Sequence, residues 1–194
     1  MTAEPQPPEA FWPEHPLTAA EYAALGEEEH GRRELQEGAI VMSPSASSMH
    51  NFVGFELGSQ LRPQLSRDRA IVLDVDVDLE LAAKDRPGTV RRPDLVVVER
   101  SAVASGEMLR AEQVLIAVEI VSPSSVRLDH QMKRSEYADA GIPHYWIVEL
   151  DERVTLTEHR LRGELGYRNG QSVTGTFRTE EPFPVTLELD TLRD

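Results

Sequence analysis

Three runs in this chain leave a β-strand no polar face: LVVV at 95–98, VLIAVEIV at 114–121 and YWIV at 145–148. They are too short for core helices and too uniformly apolar to lie half in water, so each reads as a strand buried on both sides. Strands of that kind need cover above and below the sheet they form. Two helical patterns can supply it, over 48–65 and over 129–140. The expected fold is therefore α/β (α+β), a mixed central β-sheet flanked by helices. One residue breaks the apolar rule inside these runs: Glu119, between Val118 and Ile120.

The remaining chain fits around that sheet. Residues 1–16 hold five of the thirteen prolines and read as a flexible tail, leaving 17–194 as a single domain. Thr18 is a good N-cap, with Glu21 three residues on as in a capping box. A strand pair should turn at Gly38, with 40–42 extended. The helix over 48–65 places Phe52, Phe55, Leu57, Leu61 and Leu65 on or near one face. Residues 70–81 alternate as one strand whose wet face carries Asp74, Asp76 and Asp78. Pro87-Gly88 marks a turn, and 101–113 a loop with one helical turn. Gly141 ends the helix over 129–140. Hairpin segments follow residue 150, and PFPVTLEL closes the fold as an edge strand, prolines at its start.

Composition removes several classes of function. There are no cysteines, hence no disulfide and no thiolate metal site. The six histidines are scattered without the pair spacing of a zinc site. P-loop, GxGxxG and GxSxG patterns are absent. No apolar run approaches the ~20 residues of a spanning helix, and the N-terminus lacks the plan of a signal peptide, so a cytoplasmic location is expected. The net charge of −14 argues against a nonspecific nucleic-acid binder held by counterion release. A local basic rim is still available, because Arg32, Arg33, Arg91, Arg92, Arg127, Lys133 and Arg134 lie around the acidic positions in sequence, and charge effects are screened within ~8 Å.

Asp94 and Glu119 are the sharpest chemical signal. Each stands in or against an aliphatic strand, where an unpaired carboxylate is costly. Asp94 could instead cap the turn after Pro93, and Glu119 could pair with an arginine such as Arg91. On successive strands ending near one sheet edge, the two suit a hard divalent cation, Mg²⁺ or Mn²⁺. Lys133 is one of only two lysines against eighteen arginines. Asp129, Lys133 and Tyr137 share a helix side, and Lys133 can meet a phosphate or orient water; its plain alternative is an Asp129–Lys133 helix pair worth ~0.3–0.5 kcal/mol. Ser122, Ser124 and Ser125 could touch phosphate or cap a helix. His50 heads a helix facing a loop. Glu34 and Glu37, placed before the first strand, could add a carboxylate to the metal or be solvated charge. The DVDVD run reads as a solvated face.

Taken together, Glu34-Leu-Gln-Glu-Gly38, Ile40-Val-Met-Ser-Pro44, His50, Pro93-Asp94-Leu-Val-Val-Val98, Val118-Glu-Ile-Val-Ser-Pro-Ser-Ser125, Asp129, Lys133, Tyr137 and Gly141-Ile-Pro-His-Tyr-Trp-Ile-Val148 resemble the Uma2 family, also called DUF820, of restriction-endonuclease-like proteins. The likeness covers roughly residues 17 to 170. It implies the PD-(D/E)XK nuclease fold and Mg²⁺-dependent hydrolysis of DNA phosphodiesters. Asp94 matches the Asp of the PD element and Glu119 the acid of the (D/E)XK element. The motif lysine is displaced: two residues after Glu119 stands Val121, and the resemblance puts the lysine at Lys133. It also makes Glu34 an early helical or loop carboxylate of the metal site, with Glu37 its competitor. Arg92, His50, Ser122 and Tyr137 are the expected substrate contacts. Cutting both strands of DNA would favour a homodimer. Two other functions fit the same residues: a catalytically silent nucleic-acid- or protein-binding module, and a Mg²⁺-dependent phosphohydrolase of small nucleotides.

Overall fold

The three apolar runs are neighbouring strands in the middle of a mixed sheet. The structure, a computed structural model, describes residues 13–26, 32–43, 46–121, 128–168 and 170–194. In chain order the elements are helix α1 (Ala19–Ala24), strands β1 (Arg32–Gln36) and β2 (Ala39–Ser43), helix α2 (Ser48–Leu61), strands β3 (Arg69–Leu73), β4 (Val77–Asp78), β5 (Val90–Arg91) and β6 (Leu95–Glu99), helix α3 (Arg100–Ala104), strands β7 (Leu109–Arg110) and β8 (Val114–Val121), helix α4 (Arg134–Asp139), and strands β9 (His144–Leu150), β10 (Val154–Leu161), β11 (Tyr167–Arg168), β12 (Ser172–Thr174), β13 (Thr176–Thr179) and β14 (Val185–Glu188).

The main sheet has the order β11-β10-β9-β8-β6-β3, with β12 also on β10. Only β8 and β9 are parallel along it, and the helical segment between them is the crossover a parallel pair requires. Alternate residues of the central strands pack to opposite sides. Val97, Ile116, Val118, Ile120 and Val148 meet Val53, Leu57 and Leu61 of α2. Val96, Val98, Ala117, Val121 and Ile147 lie on the side of Tyr137 in α4. Glu119 shares the parity of Ala117 and Val121, so its carboxylate is aimed at α4. A second sheet, β2-β1-β5-β4-β7, lies beside the first, and the chain passes from one to the other between β5 and β6, at Pro93-Asp94. Among the described residues no helix is long and apolar enough to cross a membrane.

The capping box of α1 forms as expected, Thr18 Oγ1 accepting from the Glu21 N–H and the Glu21 carboxylate accepting from the Thr18 N–H. Gly141 ends α4 at φ +81°. Four expectations are corrected. The single strand over 70–81 is broken: Asp74 adopts φ +49°, a conformation Asp tolerates better than most, and β3 and β4 enter different sheets. Its acidic residues are not a uniform solvated face, since Asp76 is bound by Arg92 and Asp74 lies against Arg32. In α2 the aromatic residues face outward, Phe55 being 61% exposed. The sheet is met by Val53 and by the expected Leu57 and Leu61, with Gly54 and Gly58 lying near Ile120 and Leu95. The closing strand, β14, is an edge strand as expected, paired with β13 among the described strands, and packs Val185 and Leu187 under the α2 side. The helix over 129–140 begins as a wider π-type turn, Leu128–Lys133, before α4; such turns are frequent at functional sites.

His159 sits in this core, stacked on Tyr145 with ring centroids 5.9 Å apart. Burial, and then the charge of Arg134, push its pKa down to about 4. An unfolded chain takes up this proton near the ordinary value of about 6.5, so stability is full above that value and falls as the pH drops toward 4. His159→Phe should remove that part of the acid sensitivity, on the order of 1–2 kcal/mol between pH 7 and pH 4, as read by urea denaturation at both pH values.

Candidate active site

The antiparallel register of β6 and β8 sets Leu95 opposite Val118 and Val96 opposite Ala117. Asp94 directly precedes β6, and Glu119 directly follows Val118 on β8. Asp94 also binds the neighbouring strand directly, its Oδ2 accepting the Ile120 N–H at 2.6 Å. Its Oδ1 lies 2.6 Å from Arg32 Nη1 and 3.0 Å from His50 Nε2. Burial alone would raise the Asp94 pKa; the His50 hydrogen bond and the Arg32 charge reverse this and hold it below the usual carboxylate value.

Glu119 lies on the drier side of the strand pair. Its Oε1 accepts from Lys133 Nζ at 2.9 Å and from the Tyr137 hydroxyl at 2.7 Å. Burial pushes its pKa up to about 8; Lys133 works against this, while the charges of Asp94, Asp129 and Glu34 add to it. Lys133 is a single ammonium among three acids, 3.0 Å from Glu34 Oε1, 2.9 Å from Glu119 Oε1 and 3.8 Å from Asp129 Oδ1. Burial opposes its charge, but those carboxylates hold it above the ordinary lysine range. The Asp129–Lys133 helix pair is present, then, as the weakest of three contacts.

Glu34 stands in the middle of β1, which corrects its expected place before the first strand. Its Oε1 also accepts the Arg92 N–H, and its Oε2 accepts from Arg91 Nη1 at 3.0 Å. Although burial opposes ionisation, the Lys133 and Arg91 charges hold Glu34 below its ordinary value. Both of its oxygens are engaged, so Glu34 grips Lys133. Glu37 is at the β1–β2 turn with φ +49° and takes no part. Arg91, which the sequence suggested as a partner for Glu119, instead makes a two-pronged bond to Glu136 of α4, at 2.6 Å on each prong. It is wholly buried and ties β5 to that helix through charge-assisted bonds. Arg91→Met should cost about 3–5 kcal/mol in chemical denaturation, because the buried Glu34 would keep only Lys133 as a charge partner and the half-buried Glu136 would lose Arg91.

The expected substrate contacts divide. His50 and Arg92 line an open cleft of about 440 Å³ with Arg32, Asp74 and Asp94. The Arg92 guanidinium is not free there, being paired at 2.8 and 2.9 Å with Asp76. Tyr137 is fully buried and cannot reach a substrate; its hydroxyl holds Glu119. Ser122, Ser124 and Ser125 lie outside the described residues. Sequence reasoning missed Arg32, Asp76 and Glu136 as parts of the site. Their signal was the arginine cluster, but which acid each arginine meets depends on contacts 16 to 62 residues apart in the chain. A second opening of about 480 Å³, lined by Asp78, Glu80, Lys84 and Arg86 among others, holds none of the expected residues.

Among the described residues no three histidine, aspartate or glutamate side chains are grouped to enclose a metal ion. The donor chemistry nevertheless fits a hard divalent cation. Asp94 is bonded to the N–H of the residue next to Glu119, and burial first, with the charges of Asp94, Asp129 and Glu34 adding to it, raises the Glu119 pKa despite Lys133. Two carboxylates with water and substrate oxygens are an ordinary Mg²⁺ set.

Residues 19–191 match the model of the Uma2 family, whose description reads "Putative restriction endonuclease". The chain belongs to the Uma2 family. Among solved structures, this Uma2 chain is similar to the crystal structure of a "putative nuclease belonging to DUF820" from Anabaena variabilis ATCC 29413, with a TM-score of 0.64 at 20% identity over 91% of this chain and 97% of that one. That likeness establishes the shared fold. No curated protein matches the chain in sequence. The Uma2 assignment and the fold agree with the resemblance read from the PD and VEIVSPSS elements, and the family's description supports a nuclease-like function.

Proposed function

We propose that this protein is a metal-dependent endonuclease hydrolysing DNA phosphodiester bonds, with Mg²⁺ or Mn²⁺ held by Asp94 and Glu119. One observation carries the proposal: Asp94 Oδ2 accepts the N–H of Ile120, the residue next to Glu119, and the Glu119 carboxylate lies 2.9 Å from Lys133 Nζ. When bound, such a cation supplies Lewis-acid charge at the phosphate and acidifies water. Lys133 is oriented before substrate arrives, gripped by Glu34 and Glu119, and it steadies charge on the phosphate or positions the attacking water. Tyr137 fixes the Glu119 carboxylate. His50, Arg92 and Ser122 are the proposed phosphate contacts, and a homodimer would present a second site to the opposite strand.

A silent binding module on the same fold draws support from one specific observation, that Arg32 and His50 already occupy Asp94 Oδ1. Purified protein incubated with supercoiled plasmid, single-stranded DNA and nucleoside triphosphates, in Mg²⁺, Mn²⁺ or EDTA, separates the functions. Nicking and linearisation of plasmid with either cation, and none in EDTA, is expected. Intact plasmid together with no calorimetric metal binding would identify the silent module, and turnover of nucleotides alone a small-molecule phosphohydrolase.

A further inference from the structure

Arg32, the first residue of β1, lies where a cation would be wanted. Its Nη1 is 2.6 Å from Asp94 Oδ1, and its Nη2 donates to the Arg92 carbonyl. Its Nε lies 2.9 Å from Asp74 Oδ1, an ion-pair distance without hydrogen-bond alignment. The two acids differ in setting: Asp94 is buried, while the Asp74 side chain is 59% exposed on the rim of the cleft. Asp94 has no oxygen to spare, Oδ2 being taken by the Ile120 N–H and Oδ1 by Arg32 and His50. A divalent cation can use Oδ1 only if one of these two leaves, and a guanidinium is the one that repels it.

We propose that Arg32 is a built-in counter-ion that covers Asp94 while no metal is bound and swings to Asp74 when a divalent cation takes its place. The swing needs no backbone movement, because the guanidinium already spans both carboxylates. It leaves a cation on the cleft rim, beside Arg92, facing the space a phosphate would enter. Arg32 is thus a positioning residue whose two partners, Asp94 and Asp74, define two states. The inference rests on the metal site proposed above.

The test is calorimetric titration of the full chain with Mn²⁺ alone, comparing wild type, R32Q and R32K, with thermal melting of each in EDTA and in Mn²⁺. R32Q should bind Mn²⁺ about tenfold tighter, since a competing positive charge is removed. It should melt below wild type in EDTA and gain more from Mn²⁺ than wild type does. R32K keeps the charge and should bind no tighter than wild type, so it serves where R32Q folds poorly. Equal or weaker Mn²⁺ binding by R32Q, or tighter binding by both variants, overturns the role of Arg32 and leaves the metal site standing. Absence of Mn²⁺ binding in wild type and variants alike overturns both.

Discussion

Asp94→Asn is expected to lower metal-dependent plasmid cleavage by about a thousandfold, a loss in the range seen when a charge-stabilising group is removed from a reacting centre. The amide keeps the size of the side chain and one acceptor oxygen for the Ile120 N–H, so the β6–β8 pair should survive. What is lost is charge. An amide is a poor ligand for a hard cation compared with a carboxylate, and its NH₂ would face Arg32 and His50, two groups that now donate to Asp94. A stability cost of about 1–3 kcal/mol should accompany this mismatch, measured by chemical denaturation in EDTA. Cleavage retained at wild-type rates in folded Asp94→Asn would remove this residue from the chemistry and the proposed function with it.

Lys133→Met should act on both stability and activity. Methionine fills similar volume but leaves Glu34, Glu119 and Asp129 facing one another without the ammonium that lies 2.9 to 3.8 Å from them. Removing one member of a buried ion cluster costs about 3–5 kcal/mol. The cost should depend on pH, and its sign follows from Glu119. That group is already pushed up to about 8, and losing Lys133 removes the main force holding it down. A carboxylic acid whose folded pKa exceeds its unfolded value stabilises the fold when protonated, and that contribution fades as the pH rises. The variant should therefore be closer to wild type in stability at pH 6 than at pH 9. Its cleavage rate should fall about 10²–10³-fold at every pH where it is folded. Adding Glu119→Gln should recover part of the lost stability and none of the lost activity, which separates the two roles of the lysine.

Much of this was legible in the sequence. Strands with no polar face dictate a sheet covered on both sides, because apolar surface on either face must leave water; LVVV, VLIAVEIV and YWIV therefore determined the central strands and the need for flanking helices. The same logic made Glu119 conspicuous, as a carboxylate in a dry strand must have a partner. Lys133 stood out through lysine scarcity and Glu34 through the family resemblance, and these three residues do meet. Only the tertiary structure decided the partnerships. Arg91 binds Glu34 and Glu136 and leaves Glu119 alone, Arg92 is claimed by Asp76, and Arg32 reaches Asp94. Tyr137 turned out to be a buried support, and α2 meets the sheet through Val53, Leu57 and Leu61, its phenylalanines facing out. The physical reason is range. Hydrophobic periodicity is written within a few residues of chain, whereas an ion pair forms between whichever opposite charges two separate sheets happen to bring within about 4 Å, and no local pattern encodes that choice.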